Sequence, residues 1–207
     1  MWWRAVEAEI EHSGAGPRSK TSRQVRPTEI RGYIPANFKN QKDLRLEYRR
    51  IENLANEQQR GYELERLIYE LAKLTVGTAA PPYRIERTGG SISQIDGYFE
   101  HGVDKYRVEC KWLSKPAEPK DIVLFDDKID VFGVSGLFVS MSGFTDEAVG
   151  RTRESRSKKV ILVMDGEEIS ALFNLQLNFD DVMARKRQYF DQRSESYHKV
   201  VTPSEVA

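Results

Sequence analysis

Apolar and polar positions alternate most cleanly over residues 105–112, KYRVECKW, where Tyr106, Val108, Cys110 and Trp112 share one side of an extended chain. Arg107, Glu109 and Lys111 take the other side. This period of two predicts a strand lying on a core by its apolar side. Residues 94–101 predict the strand before it, with a tight turn at Gly102, Val103 and Asp104 making the pair a hairpin. Elsewhere the period is helical. Leu44, Tyr48, Ile51 and Leu54, then Leu64, Leu67, Ile68 and Leu71, recur at helical spacing through residues 41–75. Gly61 interrupts them at a cost of about 1 kcal/mol relative to alanine. The segment therefore reads as one long helix or as two meeting near Arg60 and Gly61. TVGTAAPP ends it, residues 83–87 form a strand, and Thr88, Gly89 and Gly90 turn into the hairpin.

Beyond Trp112, prolines favour a helix starting near Pro119, with Ile122, Val123, Phe125, Ile129 and Phe132 on its apolar side. GLFVSM, ending at Met141, predicts a buried strand, and residues 160–164 predict another. Between them Thr145 can cap a helix whose first turn carries Asp146 and Glu147. DGEEISALF begins the next helix. Residues 179–196 form a charged one, with Phe179, Val182, Met183, Tyr189 and Phe190 as its packing side. Trp2, Trp3, Val6 and Ile10 suggest a short helix over residues 1–12, and residues 197–207 are expected to fray. From the second half of 41–75 onward the order is αβββαβαβα.

Composition narrows the class. A chain of 207 residues, 39% hydrophobic and 31% charged, suits one soluble globular core with extensions. Lys and Arg equal Asp and Glu at 32 each, so no global positive field draws nucleic acid to it. Basic residues are instead clustered: Arg18, Lys20, Arg23, Arg26 and Arg31 in the polar stretch 17–39, Arg151, Arg153, Lys158 and Lys159 in RTRESRSKK, and Arg185, Lys186, Arg187 and Arg193 near the end. Each cluster reads either as solvated surface or as a set of phosphate contacts. The single cysteine, Cys110, excludes an internal disulfide framework and a zinc ribbon, and suits a reducing compartment. No run approaches the length of a membrane span. No P-loop glycine motif is present, and His12, His101 and His198 lack zinc spacing. His101, at a strand end, reads as exposed.

The candidate chemistry lies on the charged side of the hairpin, where Asp96 returns alongside Glu109 and Lys111. One or two carboxylates hold Mg²⁺ while leaving positions for water and a substrate phosphate. A lysine beside the ion can position or deprotonate an attacking water, and phosphodiester hydrolysis needs these parts together. Any solvated sheet face also alternates charge, so Glu-x-Lys by itself says little. Gln94 and Asp96 at hairpin distance set this one apart. An acid, a spacer and then Glu-x-Lys on the next strand resembles the PD-(D/E)xK nuclease superfamily, and QIDG followed by ECKW resembles its Mrr-type restriction endonuclease branch. GYELERL and SGFTDEA extend the resemblance over about residues 61–173. Ile95 stands where the superfamily pattern has proline.

The resemblance implies an α/β fold with a restriction endonuclease-like αβββαβ core, its mixed central sheet flanked by helices. The expected organisation is an N-terminal helix and basic arm over 1–40, the nuclease domain over 41–175 and a C-terminal helix and tail over 176–207. Asp96, Glu109 and the backbone carbonyl of Cys110 would hold Mg²⁺, for which Mn²⁺ could substitute. Glu65, in GYELERL, would touch the metal or its water, Lys111 would act on the water, and Gln94 would bridge Asp96, Lys111 or the water. The acids and the lysine are expected at the solvent-facing rim of the site. Arg18, Lys20, Arg23, Arg26, Arg151, Arg153, Lys158, Lys159, Arg185 and Arg187 are the candidate nucleic-acid contacts. The implied activity is Mg²⁺-dependent DNA endonuclease in restriction or anti-phage defence, in the cytoplasm, with a homodimer and a partner protein supplying target recognition both open. Action on RNA or recombination junctions, or a non-catalytic binding module, are the alternatives.

Overall fold

The computed structural model describes residues 27–29, 38–86, 92–129, 133–154 and 159–200. The expected helix over 1–12, Arg18, Lys20, Arg23, Arg26, Arg31, the turn at Thr88, Gly89 and Gly90, Phe132, Lys158 and residues 201–207 lie outside the described residues.

The helical pattern of residues 41–75 becomes two helices, α1 (Gln41–Glu52) and α2 (Glu57–Thr75). They meet at residues 53–56, not near Arg60 and Gly61. Asparagines decide the place. Asn56 caps α2 by accepting from the Gln59 amide, while the amide of Asn53 closes the end of α1 on the Arg50 and Ile51 carbonyls. A cap contributes about 1 kcal/mol, enough to offset the similar cost of Gly61 inside α2.

Among the described residues, eight strands form two sheets. The smaller is antiparallel, in the order β1 (Pro27–Glu29), β3 (Tyr83–Glu86), β4 (Ile92–Ile95). The larger is mixed, in the order β2 (Ala79–Ala80), β5 (Gly97–His101), β6 (Asp104–Lys111), β7 (Val134–Ser140), β8 (Ile161–Asp165). Strands β2, β5 and β6 pair antiparallel, and β6, β7 and β8 pair parallel. In the β5–β6 hairpin His101 pairs with Asp104 across a two-residue turn, and Gly102 takes φ +60°, a conformation open to glycine.

Two expectations change here. The single strand expected over 94–101 splits at Asp96, because Ile92–Ile95 pairs with β3 and the ladder to β6 begins at Gly97. Ala79–Ala80, expected within a loop, adds β2 at the sheet edge. Two residues carry no alternation for a pattern to show.

Parallel strands need crossovers, and α3 (Pro119–Lys128) and α4 (Asp146–Arg153) supply them. Helices α5 (Gly166–Asn174) and α6 (Phe179–Arg193) follow β8. One layer packs α1, α2, α5 and α6 on the sheet side carrying Tyr106, Val108, Cys110, Leu137, Val139, Leu162 and Met164. The other places Ile122, Phe125 and Ile129 of α3 and Ala148 of α4 against Phe138, Ile161 and Val163. The apolar and charged sides of β6 thus face different layers. No helix among the described residues is long and apolar enough to cross a membrane.

Residues 197–200 do not fray. The tail runs along the outer edge of β8, where Val163 donates its amide to the Ser196 carbonyl at 3.3 Å. An open strand edge invites pairing with other chains, and this one is covered. Lys186, in a cluster that reads as solvated surface or as phosphate contacts, is buried and secures that cover: its ammonium lies 2.7 Å from Glu168 Oε1 and donates to the Val163 and His198 carbonyls at 2.8 Å each.

Candidate active site

Asp96 occupies the joint between β4 and β5, where the chain passes from one sheet to the other. Its amide still bonds the Val108 carbonyl at 3.2 Å, which holds it opposite Glu109 as the β5–β6 register runs on. Its carboxylate is fixed twice: Oδ2 accepts the Cys110 amide at 3.0 Å, and Oδ1 accepts Gln94 Nε2 at 3.4 Å. Gln94 therefore bridges to Asp96, one of its expected partners. An amide and carbonyl of one strand residue face the same neighbour, so the Cys110 carbonyl lies on the Asp96 side.

Glu65 arrives from the other layer. It sits on the core side of α2 between Leu64 and Ile68, buried and without a hydrogen bond among the described residues. Burial, and then the charges of Asp96 and Glu109, push its carboxyl well above the usual range. Asp96 moves the same way, through burial first and Glu109 second, against the Cys110 and Gln94 hydrogen bonds. Both acids are buried, at 8% and 6% exposure, rather than placed at a solvent-facing rim. Burial and surrounding carboxylates also raise the Cys110 thiol, which keeps it protonated and removes it as a nucleophile.

Helix α3 supplies the opposing charge. Lys128, its last residue, places its ammonium 2.5 Å from Glu109 Oε2. Lys111 pairs instead with Asp121 in the first turn of α3, at 2.6 Å. Burial alone would raise Asp121, but the Lys111 contact and the Glu118 amide hold it low. Arg107, third on the charged side of β6, is buried and donates to the Lys128 carbonyl, which fixes the end of the helix. A cleft of about 310 Å³ opens here, lined by Glu109, Lys111, Asp121, Lys128 and the exposed apolar Ile92 and Leu124. Asp121 and Lys128 were not foreseen as site residues. Their signal was the spacing of Asp121, Leu124 and Lys128, one helix stripe that no core needs.

Among the described residues, no group of three His, Cys, Asp or Glu side chains is close enough to hold a metal ion. Glu109 leans to Lys128, and Glu65 approaches from behind. Asp96, Glu109 and the Cys110 carbonyl remain a hard-oxygen set, and two carboxylates with water and phosphate are what Mg²⁺ ordinarily takes from a protein. The crowding that raises Asp96 and Glu65 is what a bound cation would relieve. The residues fit a divalent ion.

The candidate phosphate contacts scatter. Arg151 pairs with Glu154 at 2.9 Å, and Arg187 with Asp104 at 3.0 Å and Asp191 at 2.9 Å. Lys159 donates to the Ile129 carbonyl, while Arg153 and Arg185 are exposed. Arg153, Lys159 and Arg193 line a second cleft of about 490 Å³. His101 is half-buried rather than exposed, with Nε2 3.3 Å from Asp180 Oδ1.

A mixed sheet interrupted at an acid, with Glu-x-Lys on the neighbouring strand and a helix glutamate behind, is the arrangement that the sequence resemblance implied. The Mrr_cat restriction endonuclease family model matches residues 57–173. The chain belongs to that family. No match is found among curated proteins. Among solved structures, the chain is similar to the MspJI restriction endonuclease in complex with a 27-mer oligonucleotide, at 13% identity and a TM-score of 0.36, over 79% of this chain and 38% of that one.

Proposed function

We propose that this chain is a divalent-metal-dependent DNA endonuclease, using Mg²⁺ or in its place Mn²⁺, and that it serves restriction or anti-phage defence in the cytoplasm. The observation that carries the reading is that Asp96 and Glu109 lie near enough to Glu65 to raise its carboxyl, three acids from three different elements, with Lys111 beside Glu109 in the cleft. Carboxylates are not gathered out of water against their own repulsion to stabilise a fold. Membership of a restriction endonuclease family supports DNA as the substrate.

In this reading Asp96, Glu109 and the Cys110 carbonyl hold the ion. When bound, the ion supplies neutralisation of phosphodiester charge and a nucleophilic water at neutral pH. Gln94 and the Cys110 amide keep the Asp96 carboxylate turned toward its role. Glu65, its carboxyl raised, stands behind them as a group that can exchange a proton. Lys111, drawn to Asp121, stands on the cleft where an attacking water or a phosphate oxygen would lie. The basic residues of the arm, of residues 151–159 and of α6 would steer the duplex. The core and its two extensions would act as one nuclease unit, as a homodimer or with a partner reading the target.

The test is incubation of purified protein with plasmid DNA in Mg²⁺, in Mn²⁺ and in EDTA. Cleavage should need the ion, and Asp96→Ala, Glu109→Ala and Lys111→Ala should each lower it by about 10³-fold or more, the scale of losing one charge-stabilising group. Wild-type rates in folded Asp96→Ala or Lys111→Ala protein would end the catalytic reading.

A further inference from the structure

We infer that Lys128 is a built-in counter-cation of this site, one that holds Glu109 until a divalent ion displaces it and so competes with that ion. The inference rests on the reading of Asp96 and Glu109 as metal ligands. Glu109 has a lysine two residues along its own strand, yet the ammonium on its carboxylate comes from the far end of α3. Lys111 is turned to Asp121. The two cations of the cleft therefore have different attachments, and only one stands on a carboxylate that metal would use.

The two cations compete for one carboxylate. Mg²⁺ binds carboxylate oxygen at about 2.0–2.1 Å, and Lys128 Nζ lies 2.5 Å from Glu109 Oε2. An ion that takes this oxygen displaces the ammonium, and one that takes Oε1 meets its charge across the same group. The helix end cannot follow a departing ammonium, because Arg107 holds the Lys128 carbonyl and Lys159 holds that of Ile129. The displacement is confined to the four-carbon side chain of Lys128, which lines the open cleft and can swing within it.

The experiment measures Mn²⁺ affinity by titration calorimetry on the whole chain, without nucleic acid, for wild type, Lys128→Met, Lys111→Met and Asp96→Ala. Lys128→Met should bind Mn²⁺ at least about tenfold more tightly than wild type, the low end of what a charge-assisted hydrogen bond contributes. Lys111→Met should stay within about threefold of wild type, since Asp121 rather than Glu109 holds it. Should Lys128→Met fail to fold by circular dichroism, Lys128→Gln keeps a donor without the charge and should show a smaller gain in the same direction. Equal or weaker binding in the folded Lys128 variants, with binding lost in Asp96→Ala, would overturn the counter-cation role and leave the metal reading standing. No Mn²⁺ binding by wild type would remove both.

Discussion

Two clusters of buried charge lie at different places on the sheet, one at the β5–β6 hairpin and one at the β8 edge, and they are solved differently. Around Lys186 the account closes: one ammonium meets Glu168 and two carbonyls, and Glu168 Oε1 also takes the Val200 amide at 3.1 Å. Burial pushes Glu168 up and Lys186 down, each toward neutrality, while their mutual contact opposes both shifts. Around Asp96 the account stays open. Three carboxylates share the neighbourhood with Lys128 as their nearby cation, and Glu65 has no hydrogen bond among the described residues. A satisfied cluster holds structure in place, here the tail across the β8 edge. A frustrated one stores an affinity for something not part of the chain.

The largest effect is expected from removing one partner of the closed cluster. Lys186→Met leaves Glu168 buried and unpaired, and should cost about 3–5 kcal/mol of unfolding free energy in urea titration. The double variant Lys186→Met with Glu168→Leu should recover most of that loss, because the charge that needed a partner is gone. If the single variant cost less than about 1 kcal/mol, an amount typical of an exposed ion pair, Lys186 would belong to the solvated surface after all.

The same operation on the open cluster should have the opposite sign. Glu65→Gln replaces a carboxyl that the folded state keeps protonated and should stabilise the metal-free protein at pH 8 and above by about 1–3 kcal/mol, the cost of a buried unsatisfied group. The pH dependence follows from the raised carboxyls. Glu65 is pushed up to about 9 and Asp96 to about 7, above the ordinary values of 4.5 and 3.8. Between those limits the folded state holds protons that the unfolded chain has released, so stability falls as pH rises. Wild type should lose stability from pH 5 to 9, and Glu65→Gln should flatten that slope. A slope unchanged in the variant would mean that Glu65 carries no proton there.

How far each cluster could be read from the sequence follows from its chemistry. The open one was visible because strand alternation placed Glu109 and Lys111 on a side where no core is needed, and the hairpin turn fixed Asp96 opposite. What alternation could not show is depth. Asp96 is buried because β4 leaves for a second sheet beside it, and that pairing depends on distant β3. Lys128 was hidden for a similar reason, since its pairing with Glu109 spans a crossover. The closed cluster was invisible: Lys186 lies in RKRQ, a run that reads as solvated, and its partners Glu168 and His198 come from separate segments. The strands β5 to β8 and the helices α3 to α6 were legible because each carries its own periodicity and caps. The two-residue β2 carries neither.

The smallest effect expected lies at the edge of the closed cluster, where Tyr197 donates to Asp165 Oδ2 at 2.5 Å. Burial by itself would raise the Asp165 carboxyl, but Tyr197, the Glu168 amide and Lys199 together outweigh it and hold the group low. A lowered carboxyl contributes stability above its unfolded value, and that stability is lost as pH falls through the folded one. This is the reverse of Glu65. Tyr197→Phe keeps the ring against Phe144 and removes only the donor, so it should cost about 0.5–1.5 kcal/mol near pH 7, the net contribution of one hydrogen bond. The loss should shrink in acid, because a protonated Asp165 gains less from a donor. Urea titrations of both proteins at pH 7 and pH 3 measure the two losses. A cost that grew on acidification would place Tyr197 outside the Asp165 network.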